Sequence, residues 1–158
     1  MENLVNNIYA KFFVMVLSII SPFIYMAVGG DQDSISGYWE TPIQPLFIFV
    51  NASTSYYLFS IKNWWIPAFF LMLLTSFPVF NFFIVHNIFA IAFFFFCGVS
   101  ILKSKIKIYI FPYLLSLIPL AFGSLLWAEV IGIVTICLFH FHRYIKFNII
   151  NSNRKNEN

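Results

Sequence analysis

The sequence predicts an all-α integral membrane protein: a bundle of six transmembrane helices with both termini in the cytoplasm. Three observations carry that prediction. Of the 158 residues, 61% are hydrophobic and 9% are charged, with a mean hydropathy of +0.85. A soluble domain carries about a quarter charged residues, so lipid must be the solvent for most of this chain. The apolar residues come in runs that match or exceed the roughly 20 residues needed to cross about 30 Å of hydrocarbon. Once six crossings are drawn, every Lys and Arg falls on one side.

The first run, near 8–28, ends at Gly29-Gly30. It is too long for a signal peptide and no small-residue cleavage site follows it, so it reads as a span. The second lies near 45–61. The block Trp64 to Leu102 would reach nearly 60 Å as one helix at 1.5 Å per residue. It therefore folds back at Phe77–Asn81, where Pro78 disfavours helix at the residue before it and Asn81 suits a turn. This gives spans near 64–80 and 83–102. The block Ile108 to Lys146 poses the same problem and breaks at Phe122–Ser124, giving spans near 108–123 and 125–146. Pro22, Pro112 and Pro119 are expected to kink their helices. The tail at 148–158 is short and polar and is expected to be disordered.

Charge tests this count independently. Lys11, Lys62, Lys103, Lys105, Lys107, Arg143, Lys146, Arg154 and Lys155 all fall on one face of a six-span chain, while Asp31, Asp33, Glu40 and Glu129 fall on the other. The positive-inside rule makes the basic face cytoplasmic. The expected location is the cell (inner) membrane, with loop 29–44 exoplasmic. Trp64, Trp65 and Tyr144 then sit at the inner interface, and Tyr38, Trp39 and Trp127 at the outer one, as aromatic belts. The net charge of +3 reports topology and not nucleic acid, because no basic patch is interleaved with stacking aromatics. Cys97 and Cys137 fall inside apolar runs and read as buried small hydrophobes. No cysteine spacing suggests a metal or a disulfide framework.

Polar groups inside a membrane are functional candidates by default. Helices packed as short antiparallel hairpins bring His86 and Glu129 to a similar depth beneath the Ser34–Thr41 loop. Ser34, Ser36, Tyr38, Trp39, Glu40, Asn51, His86, Trp127 and Glu129 are therefore the expected ligand-binding set of an outward-opening polar pocket. Simpler readings stand beside this one. His86 is also read as an interfacial histidine bonded to a loop carbonyl. Glu129 is also read as an exposed carboxylate favoured by the dipole of a helix N-terminus. Asn51 with Thr54 or Ser55 is also read as interhelical hydrogen bonding. His140 and His142, two residues apart, point about 200° apart on a helix, so one face cannot present both. They also lie roughly 20 Å below His86 by helical rise. The three histidines cannot share one metal, and no metal or cofactor is expected. Snorkelling of this pair beside Arg143 is the expected account.

The stretch SISGYWETP, Ser34 to Pro42, resembles the Ser-Ile-Ser-x-Tyr signature that follows the first span in a family of uncharacterised six-helix prokaryotic membrane proteins. That family is similar to the DRAM-type proteins, which include factors of GPI-lipid remodelling. Leu46–Phe59 resembles its second helix. Val85–Phe96 resembles its His-x-x-x-Ala-x-x-x-Phe helix, and Leu126–Ile133 its Trp-x-Glu final helix. The family commonly opens its second helix with an Arg-Asp pair, where this chain has Ile43-Gln44-Pro45. The resemblance implies a six-helix fold more than an activity. A rival resemblance, to the ceramidase and adiponectin-receptor hydrolases, implies a zinc held by three histidines with Ser36 and Asp33 nearby. The depth of the histidines argues against it.

The expectation is a membrane protein, leaning non-enzymatic, that binds a lipid or a partner helix at this pocket. Its partners are membrane lipids, and a second membrane protein or another copy of the chain; nucleic acid is not expected. One alternative is a lipid hydrolase or transferase using His86 as base with Glu129 orienting it. Another is a small transporter working as an oligomer.

Overall fold

The computed structural model describes the backbone of residues 8–156 and the side chains of residues 9–146. Among the described residues seven α-helices follow one another: α1 (Ile8–Gly29), α2 (Gln44–Phe59), α3 (Trp65–Ser76), α4 (Phe83–Leu102), α5 (Ile110–Leu115), α6 (Leu117–Ala121) and α7 (Leu125–Asn156). A 3₁₀ turn at Ile35–Glu40 lies between α1 and α2, and another at Lys107–Tyr109 leads into α5. No strand occurs among the described residues.

Among the described residues three helices are long and apolar enough to cross a membrane: Tyr9–Gly29, Phe83–Leu102 and Leu125–Lys146. The other expected spans are shorter. The 12 residues of α3 extend only about 18 Å. Pro78 ends α3 early, because the residue before a proline avoids the helical region; Phe77 has ψ 101°. The fifth expected span is divided into α5 and α6 at Ser116, whose amide and hydroxyl both turn back to the Tyr113 carbonyl. Pro119, which follows in α6, has no N–H for the carbonyl four residues earlier, so a continuous helix would lose that bond anyway. The backbone of α7 continues through the stretch expected to be a tail. The side chains beyond residue 146 lie outside the described residues.

Pro22 sits inside α1 and its missing N–H would have served the Ser18 carbonyl. The Ser21 hydroxyl donates to that carbonyl instead, at 3.3 Å. In lipid every backbone group needs such a partner, so this substitution lets α1 run unbroken through its proline.

The helices pack in sequence order: α1 on α2, α2 on α3, α3 on α4, with α7 returning against α1 and covered by α5 and α6. Two buried apolar clusters fill the bundle. One joins Tyr25, Tyr38, Phe47 and Val130 beneath the Ile35–Glu40 turn. The other joins Trp64, Leu71, Phe93, Ile101 and Phe139 at the opposite end. Outside, the surface is strongly apolar: Ile84, Ile88, Ile91 and Phe95 of α4 form an exposed stripe, with Ile91 70% accessible. Such a face suits lipid and not water.

The two ends of the bundle differ in charge. The Tyr57–His140, Trp64–His140, Phe12–Phe141 and Tyr109–His142 ring contacts gather the start of α1, the α2–α3 turn, the approach to α5 and the second half of α7. Lys11, Lys62, Lys107 and Arg143 lie in these segments. The Ile35–Glu40 turn and the start of α7 form the other end, joined by a hydrogen bond from the Ile35 amide to Glu129. Asp31, Asp33, Glu40 and Glu129 lie there.

Candidate functional site

The Ile35–Glu40 turn is built by its own residues. Ser34 is extended (φ −153°, ψ 161°) and its hydroxyl caps the turn by accepting from the Gly37 amide at 3.2 Å. Ser34 and Ser36 hydroxyls lie 3.1 Å apart. Thr41 closes the other end, its hydroxyl donating to the Tyr38 carbonyl at 2.8 Å. Tyr38 is the anchor: its ring is fully buried against Tyr25, and its hydroxyl donates to the Gly30 carbonyl at 2.9 Å. Burial, with the Asp31 carboxylate adding to it, pushes the Tyr38 hydroxyl above its ordinary range, so it remains a donor. Gly29 makes this seat possible, because a Cβ there would lie 2.7 Å from the Tyr38 ring.

The turn covers a central cavity of about 60 Å³, room for a few waters or one small polar group. Ser18, Ser21 and Tyr25 of α1, Ser36 of the turn, Asn51 and Thr54 of α2, and Glu129 of α7 supply its polar wall. Phe47, Phe93, Phe94, Leu71 and Ile133 are among the apolar residues that line the rest. Glu129 is 8% accessible. Its Oε2 accepts the Ile35 amide at 2.6 Å. Among the described residues that amide is the carboxylate's sole hydrogen-bond donor, and no ion pair involves it.

Three hydroxyls of the cavity wall, those of Ser18, Ser21 and Thr54, give their protons to backbone. Ser18 donates to the Val14 carbonyl at 2.7 Å, Thr54 to the Val50 carbonyl at 2.8 Å, and Ser21 to Ser18. Ser18 and Thr54 also lie 2.7 Å from each other. Two protons cannot serve three contacts, so one of these carbonyl bonds is given up whenever the two hydroxyls bond. The Tyr25 hydroxyl is buried and makes no well-formed hydrogen bond, although the Ser21 hydroxyl lies beside it. The lining is mostly apolar, with a few hydroxyls, the Asn51 amide and one carboxylate, and no lysine or arginine among its residues.

Of the residues expected at the site, Ser36, Asn51 and Glu129 line this cavity. Ser34 and Tyr38 shape the turn that covers it. Trp39 packs edge-on against Phe47. Glu40 is exposed, and Trp127 is 49% accessible, facing away on the helix that carries Glu129. His86 does not line the cavity. Its Nδ1 donates to the Phe77 carbonyl at 2.6 Å, across the α3–α4 turn, which is the loop-carbonyl reading of this residue. A carbonyl can only accept, so the proton sits on Nδ1, and Nε2 is left buried without a partner.

Snorkelling of His140 does not hold. It is 2% accessible and neither ring nitrogen has a hydrogen-bond partner. It packs edge-on against Trp64, ring centroids 4.2 Å apart. The reason is helical phase: His140 follows Ile136 by four residues and Cys137 by three, and both face inward. Cys97 and Cys137 are buried free thiols, as expected. No group of three or more metal-ligating side chains occurs among the described residues.

Sequence reasoning passed over Ser18, Ser21 and Tyr25. Their spacing of three and then four residues puts them on one face of α1, in a helix that is otherwise apolar on that face. That polar stripe was the available signal. Searches against protein-family models, the curated proteins and the solved structures found no match for this chain.

Proposed function

We propose that this is a multi-pass membrane protein that binds an amphiphile, a lipid in the first instance, by its polar head in the Glu129 cavity. In this reading the chain crosses the bilayer six times, with the termini and the basic end cytoplasmic and the Ile35–Glu40 turn outside. The separation of Lys and Arg from Asp and Glu between the two ends supports that orientation. The shorter α3 and the divided α5–α6 pair cross with the help of the turns that flank them. The resemblance of Ser34–Pro42, Val85–Phe96 and Leu126–Ile133 to the six-helix family belongs to the same proposal.

One observation carries the functional part. A carboxylate buried in the bundle without a counter-charge is expensive in lipid, yet here it lines a cavity whose other polar residues are hydroxyls and the Asn51 amide. A structural role for Glu129 needs only the Ile35 amide. It does not account for Ser36, Asn51, Thr54 and Tyr25 converging on the same cavity. At about 60 Å³ the space has room for a group of a few atoms only. A hydrolase pairing His86 with Glu129 has no support in this geometry, because His86 does not line the cavity.

The test is native mass spectrometry of the full chain purified in mild detergent. Wild type is expected to retain an amphiphile that Glu129→Ala and Asn51→Ala lose, while Trp127→Ala retains it. Equal retention by all four proteins would remove the proposal.

A further inference from the structure

Resting on that reading, we propose that the head group held in the Glu129 cavity is a protonated amine. The argument is one of donors and acceptors. Ser18, Ser21 and Thr54 direct their protons to carbonyls of their own helices, so lone pairs are what they offer the cavity. Glu129 offers three of its roughly four acceptor sites, since the Ile35 amide takes one. Asn51, Ser36 and Tyr25 carry N–H or O–H protons of their own, so it is the buried carboxylate, facing no cation, that favours a ligand which donates and is positively charged. Phosphate, sulfate and carboxylate heads only accept, and they would bring a second negative charge beside Glu129.

An ammonium group donates three hydrogen bonds and accepts none. It also supplies the counter-charge that Glu129 lacks among the described residues. The aromatic residues fit the same occupant. Tyr25, Phe47, Phe93 and Phe94 all line the space, and ring faces attract cations. Tyr25 brings the second, independent observation. It is 2% accessible and lines the cavity, and its hydroxyl makes no well-formed hydrogen bond, although the Ser21 hydroxyl lies beside it. An ammonium donor gives that oxygen a bond to accept. A hydroxylated neutral head would find acceptors but leave the carboxylate's charge uncompensated, and so would bind more weakly.

Binding to the purified full chain tests this, with dodecylammonium, dodecanol, dodecyl sulfate, ethylammonium and sodium as probes, read by native mass spectrometry and thermal shift. Dodecylammonium is expected to bind at one per chain, on the order of tenfold or more tighter than dodecanol, as a charge-assisted bond requires. Glu129→Gln keeps an acceptor for the Ile35 amide and is expected to abolish that preference. Tyr25→Phe keeps the ring and, should Glu129→Gln not fold, is expected to lower ammonium affinity alone. Equal binding of dodecanol, unaffected by Glu129→Gln, would overturn the amine while leaving the amphiphile reading in place. Ethylammonium binding as tightly as dodecylammonium would keep the amine and remove the amphiphile. Equal stabilisation by sodium would overturn the amine in favour of a bare cation, and tighter binding of dodecyl sulfate would overturn it outright. Binding of no probe would remove both.

Discussion

Replacing Glu129 by alanine should loosen the Ile35–Glu40 turn specifically. The Ile35 amide is buried and donates at 2.6 Å to the carboxylate, and no other acceptor is placed to receive it. Leaving a buried donor without its acceptor costs about 1–3 kcal/mol. At 1.4 kcal/mol per factor of ten, the opening equilibrium of the turn shifts by roughly five- to hundredfold. Native-state hydrogen exchange reads this directly, because exchange at an amide reports the free energy of the opening that exposes it. In Glu129→Ala the Ile35 amide should exchange roughly five- to hundredfold faster than in wild type. The amides of α4, remote from this bond, should not change. Glu129→Gln, whose side-chain oxygen still accepts, should fall between the two. Unchanged protection at Ile35 in Glu129→Ala would refute the reasoning, since it would mean that Tyr38 and the Ser34 cap hold the turn without the carboxylate.

Further outcomes follow from the packing. Gly29→Ala places a Cβ 2.7 Å from the buried Tyr38 ring and should cost about 1–3 kcal/mol, as overpacking does, seen as a lowered midpoint of thermal unfolding in detergent. Trp64→Ala removes a fully buried ring that packs on Phe139 and His140. It should cost about 3–5 kcal/mol in the same assay, and a loss under 1 kcal/mol would contradict the burial described. Single cysteines at Gly37 and Lys105, in a background lacking Cys97 and Cys137, should label from opposite sides of the intact membrane with an impermeant reagent. Labelling from the same side would contradict the orientation proposed.

The three long helices were legible because their apolar runs are uninterrupted and clearly bounded. α1 ends at Gly29, α4 spans the 83–102 read from its run, and α7 starts right after Phe122–Ser124. The breaks were legible too, since Pro78 and Gly123 act locally on the backbone. What the sequence hid is mostly rotation. Helices that are apolar all round carry little periodicity, so nothing local told whether Trp127 or His140 faces lipid or core; packing against neighbours decided both. The same blindness put His86 into the pocket. Depth places a residue along a helix axis and says nothing of the direction in which its side chain leaves it, and His86 turns to Phe77. Glu129 was expected either beneath the Ser34–Thr41 loop or exposed at a helix end; it is buried, and its bond to the Ile35 amide joins residues 94 apart in the chain. No motif encodes such a contact. The division at Ser116 was partly readable from Pro112 and Pro119, which announced a weak helix without saying where it would part.

Photo-crosslinking addresses the central claim most directly. A dodecylammonium carrying a diazirine beside its amine, photolysed on the full chain and mapped by peptide sequencing, should modify cavity residues such as Phe47, Phe94 and Ile133. Free dodecylammonium should compete this labelling away. Labelling confined to the lipid-exposed stripe of Ile88, Ile91 and Phe95, unchanged by competitor, would contradict the account.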